Sequence, residues 1–221
     1  QFSLPDNSFW TELQFQPTGK QVHQLVQLQE QLKYWNKRIN LTRLINGEDY
    51  WISQVFDSLW PLTKEINSSA EKTQEIIDVG SGAGLPGVIL SILGYTNVTM
   101  VESDYKKTVF ILEFLRKCNI NGNVINKRIE SLDNFTRKTL VFRAFSSIEK
   151  TFKLLGDKLE LSTKLIFLKG KNAINEKKIA LKVWEDIKLK KNYKIVPIIK
   201  AYTSISDKNS FLVIVEFKKE G

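Results

Sequence analysis

The chain of 221 residues contains one cysteine, Cys118, and one histidine, His23. A single thiol excludes an intramolecular disulfide, and neither residue has neighbours at metal-ligand spacing, so no stapled scaffold and no structural zinc site is expected. No apolar run approaches the eighteen or so residues of a membrane helix. The opening stretch "QFSLPDNSFWTELQFQPTGK" has no basic region leading into an apolar one, so no secretory signal is read there. A cytoplasmic protein with no membrane partner is the expectation. Arginine is also scarce, with six (Arg38, Arg43, Arg116, Arg128, Arg137 and Arg143) among 33 basic residues.

What is present is lysine, and with it a net charge of +9. Clustered cations lower the energy of an approaching polyanion, which favours a nucleic-acid partner. The bland alternative is a lysine-rich solvated surface that reflects the codon usage of an AT-rich genome. Apolar residues make up 42% of the chain and aromatic residues are scattered along it, which excludes a disordered protein and suits one large folded domain.

Two patterns follow one another. From Gln21 to Asn40, Val22, Leu25, Val26, Leu28, Leu32, Trp35 and Ile39 recur mostly at three- and four-residue intervals, the stripe of an amphipathic helix. A second helix is expected over Glu48 to Leu62. The polar stretch "KEINSSAEKTQ", residues 64–74, reads as a connection, which divides the chain into a helical extension, 1–73, and a core, 74–221. In the core, "EIIDVG", "NVTMVE", "NVIN", "TLVFRA" and "KLIFLKG" alternate with helical patterns at Pro86 to Leu93, Tyr105 to Cys118 and Ser147 to Leu155. Such alternation predicts an α/β fold with a parallel sheet covered on both faces. After a helix near Ile174 to Ile187, "YKIVPIIKAY" and "SFLVIVEF" follow with no helix between them and are expected to pair antiparallel.

The chemistry concentrates at "IIDVGSGAGLPG", residues 76–87. Asp78 sits near the carboxyl end of the first strand, and ligands of open α/β sheets bind outside such ends. Gly80, Gly82 and Gly84 permit a tight turn and a close approach of bare backbone, while Pro86 suits the first turn of the next helix. The amino end of that helix favours an anion, phosphate or carboxylate, and the loop alone does not choose. "GAGLPG" also fits the dinucleotide pattern G-x-G-x-x-G, which is weak by itself and out of register here because Gly80 follows the strand directly. Glu102 ends the second strand, where a carboxylate can accept bonds from both hydroxyls of a ribose. An adenosine-containing cofactor fits this set; solvated strand ends around a tight turn are the alternative.

The acid-V-G-x-G-x-G loop, the acid after strand two and the terminal hairpin resemble class I S-adenosylmethionine (SAM)-dependent methyltransferases. More narrowly, "YWNKRINLT", "FDSL", "DVGSGAGLPG", "VESDYKK", "RIES", "RAFSS" and "LKG", in order from Leu32 to Gly170, resemble the RsmG (GidB) family, which methylates N7 of a guanine in 16S ribosomal RNA. The resemblance implies a Rossmann-like, mostly parallel sheet of seven strands with a carboxyl-terminal antiparallel hairpin, preceded by helices. It implies SAM as cofactor, 16S ribosomal RNA or the small ribosomal subunit as partner, and a monomer. It places Asp78, Gly80, Gly82, Gly84 and Leu85 at the cofactor, the glycines and Leu85 around the methionine part of SAM. Glu102 falls on the ribose with Ser103 and Asp104 beside it, and Ile129 and Glu130 on the adenine. Arg143 and Lys169, at the ends of strands four and five, face the methyl group and the RNA in that resemblance; by its own chemistry, a bidentate guanidinium at 143 can hold guanine O6, a phosphate or the SAM carboxylate. The chain departs from the family at Ser53 and Gln54 and at Ser210 and Phe211, where Arg-His pairs are common, and Lys208 is a candidate replacement cation.

The chemistry is consistent with that resemblance. Guanine N7 carries a free lone pair and no proton, so attack on a sulfonium methyl needs positioning and no general base, and none is evident. An amine-methylating motif is absent after strand four, where "FRAF" stands. Cys118 lies in a helical pattern and reads as a core or helix-end residue rather than the nucleophile that carbon-5 methylation of a pyrimidine requires. Arg143 has a strand-end salt bridge as its bland role, and Lys169 a sheet cap. Two further readings stay open: a nicotinamide-dependent oxidoreductase, and a non-catalytic RNA-binding relative.

Overall fold

The computed structural model describes residues 5–60, 74–133, 135, 138–191, 193–204 and 210–220. The connection expected over 64–74, with its boundary after residue 73, lies outside them except for Gln74, and Lys208 lies outside them too. Asp6 accepts bonds from the Ser8 and Phe9 amides at 2.9 and 3.3 Å and so starts a helix, α1 (Asn7–Glu12), that no apolar period announced. Thr18 and Gln21 form a reciprocal capping box at the head of α2 (Gly19–Trp35).

Helix α2 stops at Trp35 rather than at Asn40, and Asn36 is the reason. Its Oδ1 accepts from the Leu41 and Thr42 amides at 2.8 and 3.2 Å, and its Nδ2 donates to the Thr42 carbonyl at 2.7 Å. The side chain thereby offers the backbone an alternative to further helix. The helix expected over Glu48 to Leu62 is irregular: α3 (Gly47–Asp49) runs into a π-helix, Tyr50–Phe56, followed by helical residues 57–60. The wider turn buries Tyr50, Trp51, Gln54, Val55 and Phe56 together, more than one side of an α-helix can present. The Tyr50 hydroxyl donates to the Leu25 carbonyl at 2.5 Å, and Gln54 Nε2 donates to Thr42 Oγ1 and to the Leu44 carbonyl, both at 3.0 Å. These bonds fasten the π-helix to α2 and its exit turn.

The core is one sheet of seven strands: β1 (Ile76–Val79), β2 (Val98–Val101), β3 (Asn123–Ile125), β4 (Thr139–Arg143), β5 (Lys164–Lys169), β6 (Ile195–Thr203) and β7 (Phe211–Lys219), in the order β3-β2-β1-β4-β5-β7-β6. The first five are parallel, and β7 runs antiparallel to both β5 and β6. The terminal pair therefore forms as expected, with β7 on the inside and β6 at the edge. Pro197 in β6 is tolerated there because an edge strand has one side without a ladder partner.

Helices α4 (Gly87–Ile92) and α5 (Tyr105–Lys117) cover one face of the sheet, α6 (Ile148–Leu155) and α7 (Ala173–Lys191) the other. Along β1 the period of two sends Ile76 to the first face and Ile77 and Val79 to the second. The described residues of α1, α2 and the π-helix join the first face: Phe9, Leu25, Leu28, Tyr50 and Phe56 belong to the same cluster as Leu90, Phe110 and Ile214. Burying these side chains against the sheet contributes about 1.5 to 3 kcal/mol each. On the second face, Phe152, Trp184 and Phe217 pack ring against ring, and Trp184 Nε1 donates to the Ile195 carbonyl at 3.1 Å. No helix among the described residues is long and apolar enough to cross a membrane.

Candidate cofactor and acceptor sites

All five parallel strands end on one side, and the loops there build two neighbouring cavities. After β1 the chain bends toward β2, with the Gly80 and Ser81 amides both donating to the Val101 carbonyl at 2.8 and 3.2 Å. Gly80 has φ +68°, and a Cβ there would lie 2.6 Å from Phe145 Cδ2. Gly84, at φ +77°, would press a Cβ to 2.4 Å from Val88 Cγ2. Both positions require glycine on conformation and on space.

Glu102 ties the loop to the next strand end. Its Oε2 accepts from the Gly82 amide at 2.7 Å and its Oε1 from the Asp104 amide at 2.8 Å, and it is nearly buried. Each carboxylate oxygen keeps a second lone pair for a ligand. Asp104 is the N-cap of α5, and its Oδ1 accepts from the Lys106 and Lys107 amides. Beside Glu102 a cavity of about 210 Å³ is walled by Gly80, Ser103, Ile129, Glu130 and Phe145. Ile129 opens a single 3₁₀ turn, Ile129–Ser131, and is buried, while Glu130 is exposed and its carbonyl accepts from Lys158 Nζ at 2.5 Å. Leu85 is buried in the apolar cluster behind the loop.

Asp78 lies under the loop rather than on a cavity wall. It is fully buried, and its Oδ2 accepts from the Gly87 amide at 2.9 Å, so the first amide of α4 serves the chain's own carboxylate. Its Oδ1 has no partner. Burial pushes the Asp78 carboxyl up to about 7, against the lowering effect of the Gly87 N–H, the Ser81 hydroxyl and the Arg143 charge. The folded-state value thus lies above the ordinary one, and between about pH 4 and pH 7 the native chain holds a proton that the unfolded chain has released. The stability Asp78 contributes is full below about pH 4 and is lost as pH rises through 7, a difference of about 4 kcal/mol. Asp78→Asn keeps an acceptor for Gly87 and removes the titration. In thermal melts, the advantage of the wild type over Asp78→Asn is expected to shrink steadily from pH 4 to pH 8; parallel curves would contradict this account.

The second cavity, about 440 Å³, opens over the ends of β4 and β5 and is lined by Ser53, Asp57, Trp60, Arg143, Lys169 and Ser210 among others. Arg143 is the last residue of β4. Its Nη2 donates to the Ser53 carbonyl of the π-helix at 2.5 Å, and its buried Nη1 has no partner. Burial lowers the guanidinium from its ordinary value while the Asp57 and Asp78 charges hold it up, and an arginine stays charged in any case. Lys169 is tied down: its ammonium pairs with Glu176 at 3.0 Å and donates to the Ser146 carbonyl. Glu176 also accepts from the Ile148 amide at 3.0 Å, so Lys169 links β5 to the heads of α6 and α7.

The fold therefore brings Gly80, Ser103, Ile129 and Glu130 together on the wall of the smaller cavity, with the buried Glu102 next to Ser103 and bonded to the Gly82 amide, and Arg143 and Lys169 on the wall of the larger. Sequence reasoning missed Phe145, which seals Gly80, and Ser53, Asp57 and Trp60, which wall the larger cavity. An aromatic just after a strand end is a faint signal for the first. The others come from a helix distant in sequence and irregular in geometry. Cys118 caps the far end of α5, and His23 is exposed on α2.

A sheet of this order, parallel except for its β7, with a glycine loop after β1 and an acid after β2, is the class I SAM-dependent methyltransferase fold. Solved structures agree: a ribosomal protein L11 methylase from Lactobacillus delbrueckii subsp. bulgaricus matches with a TM-score of 0.53 at 10% identity, over 80% of this chain and 81% of that one. The PH0226 protein from Pyrococcus horikoshii OT3 matches with a TM-score of 0.55 at 16% identity, over 84% and 99%.

The chain belongs to the rRNA small subunit methyltransferase G (GidB) family, whose model matches residues 21–200. A ribosomal RNA small subunit methyltransferase G from Prochlorococcus marinus is 36% identical over 195 residues, 85% of this chain and 77% of the relative. One from Synechococcus sp. is 45% identical over 132 residues, 58% of this chain and 54% of the relative. Over that second match the chain spans about half the length of its relative. These findings favour the methyltransferases over the nicotinamide-dependent oxidoreductases.

Proposed function

We propose that this chain transfers the methyl group of SAM to N7 of a guanine in 16S ribosomal RNA. The observation that carries the reading is the placement of Arg143: a half-buried cation with one unpartnered nitrogen, in the wall of a cavity over β4 and β5, next to a second cavity lined by Gly80, Ser103, Ile129 and Glu130. Two adjoining sites at the carboxyl ends of one sheet suit a donor and an acceptor.

The residues present fit the cofactor. Glu102 offers spare lone pairs to two ribose hydroxyls, Ile129 gives an adenine an apolar wall, and the glycine backbone leaves room for the amino-acid end. When bound, SAM supplies an electrophilic methyl on a sulfonium. The protein's work is then positional: Glu102 and the loop hold one partner, and Arg143 orients the other. No side chain has to take a proton, because N7 has none to lose.

The positive charge of the chain supports an RNA partner through counterion release. The reading is tested by mixing the protein, methyl-labelled SAM and small-subunit RNA or subunits from cells lacking the modification, then mapping the labelled nucleotide. Label on guanine N7 is the expected result. Tight SAM binding with no transfer to RNA or subunits would favour a non-catalytic RNA-binding relative instead.

A further inference from the structure

The larger cavity holds a pair of opposite charges on its wall, Arg143 from β4 and Asp57 from the helical residues that follow the π-helix. The Ser53 carbonyl takes one N–H of Arg143 Nη2, and the guanidinium keeps further N–H donors. An arginine with both nitrogens available holds guanine through O6 and N7 together. Such a grip would occupy the N7 lone pair that has to attack. A guanidinium that donates to O6 alone leaves N7 bare for the attack.

On guanine, the atoms next to O6 along the Watson–Crick edge are the N1–H and the 2-amino group, both donors. A carboxylate is the acceptor that complements them. We propose that Asp57 is the specificity-determining residue of this site, accepting from N1–H and the 2-amino group of the target guanine while Arg143 donates to O6. The inference rests on the methyl-acceptor reading of this cavity. Adenine presents the reverse pattern, an amino group toward Arg143 and an acceptor nitrogen toward Asp57, so both contacts turn repulsive. Uracil matches O6 and N1–H with O4 and N3–H, but it has no 2-amino group and no nucleophilic ring nitrogen beside its carbonyl. The Asp57 charge acts on the Arg143 guanidinium, so the two side chains attract one another.

Asp57 also stands beside a buried arginine, so a merely structural role has to be separated from recognition. The test is equilibrium binding of GMP, IMP and AMP to the full chain saturated with S-adenosylhomocysteine, for the wild type and for Asp57→Asn. IMP keeps O6 and N1–H and lacks only the 2-amino group. The wild type is expected to prefer GMP over IMP by about tenfold, the value of a hydrogen bond to a charged acceptor, and over AMP by more. In Asp57→Asn the preference for GMP over IMP is expected to collapse to about one, with S-adenosylhomocysteine affinity unchanged. A purely structural role would weaken GMP and IMP equally, and an unchanged ratio overturns the proposal. So does a wild type that binds the three nucleotides alike or binds none. Correct preferences with no methyl transfer to RNA would sink the methyltransferase reading and leave the recognition standing.

Discussion

Glu102→Ala is expected to weaken SAM binding by roughly tenfold to a hundredfold, the value of one to two charge-assisted hydrogen bonds at about 1.5 to 3 kcal/mol. The loss has two sources. Glu102 is placed to accept from the ribose, and it also holds the Gly82 and Asp104 amides, so its removal frees the loop that the cofactor lies against. Glutamine is a poor substitute, because its amide nitrogen would face one of those two N–H donors. Calorimetry on the wild type, Glu102→Ala and Glu102→Gln measures the effect. A cycle with a SAM analogue lacking one ribose hydroxyl separates the sources: contact with the ribose makes the two changes non-additive, while a loop effect alone leaves them additive. Wild-type affinity in Glu102→Ala would remove Glu102 from the cofactor site.

Arg143→Lys is expected to lower kcat by roughly a hundredfold or more, the scale of losing one oriented donor at a reacting centre, with SAM affinity changed only a few-fold. The charge survives this substitution, but the geometry does not. A guanidinium can bind the Ser53 carbonyl with one nitrogen and offer the other to the cavity, whereas an ammonium on a flexible stem is a single point. Lysine also stays near Asp57 and Asp78, so both carboxylates keep a cation beside them and the fold is expected to survive. Single-turnover methyl transfer reads the effect, and a melt checks that the variant is folded. A variant turning over at the wild-type rate would show that Arg143 orients nothing.

How much of this was legible in the sequence follows the range of the interactions. The strands β1 to β5 were readable because each is a short apolar run closed by turn chemistry, and the glycine loop because its residue types answer to local geometry. The acid at 102 was readable as a partner for a sugar; that its two oxygens also hold backbone amides from both sides was not, since those bonds exist only once β1 and β2 are adjacent. Helix α2 was overextended because apolar periodicity ran on through Ile39, and a single amide side chain, Asn36, overrode it. The π-helix kept the apolar content of an ordinary helix, so nothing in its spacing announced five buried side chains in one turn-and-a-half. Lys169 read as an RNA contact or a sheet cap, and its ion pair was not legible because its partner Glu176 comes from the next helix. The larger cavity was the least readable feature, since its walls come from the π-helix, β4, β5 and the start of β7.

The position of β7 bears on how the chain is made. Synthesis delivers β5, then α7 and β6, and only afterwards the strand that belongs between β5 and β6. Until β7 emerges, the apolar edge offered by Leu165, Ile166 and Phe167 stays open, and β6 has nothing to pair with. An open edge of that kind attracts other strands. A nascent chain paused in this interval is the form most exposed to aggregation and most in need of a chaperone, and the floor of the larger cavity forms only when that interval ends.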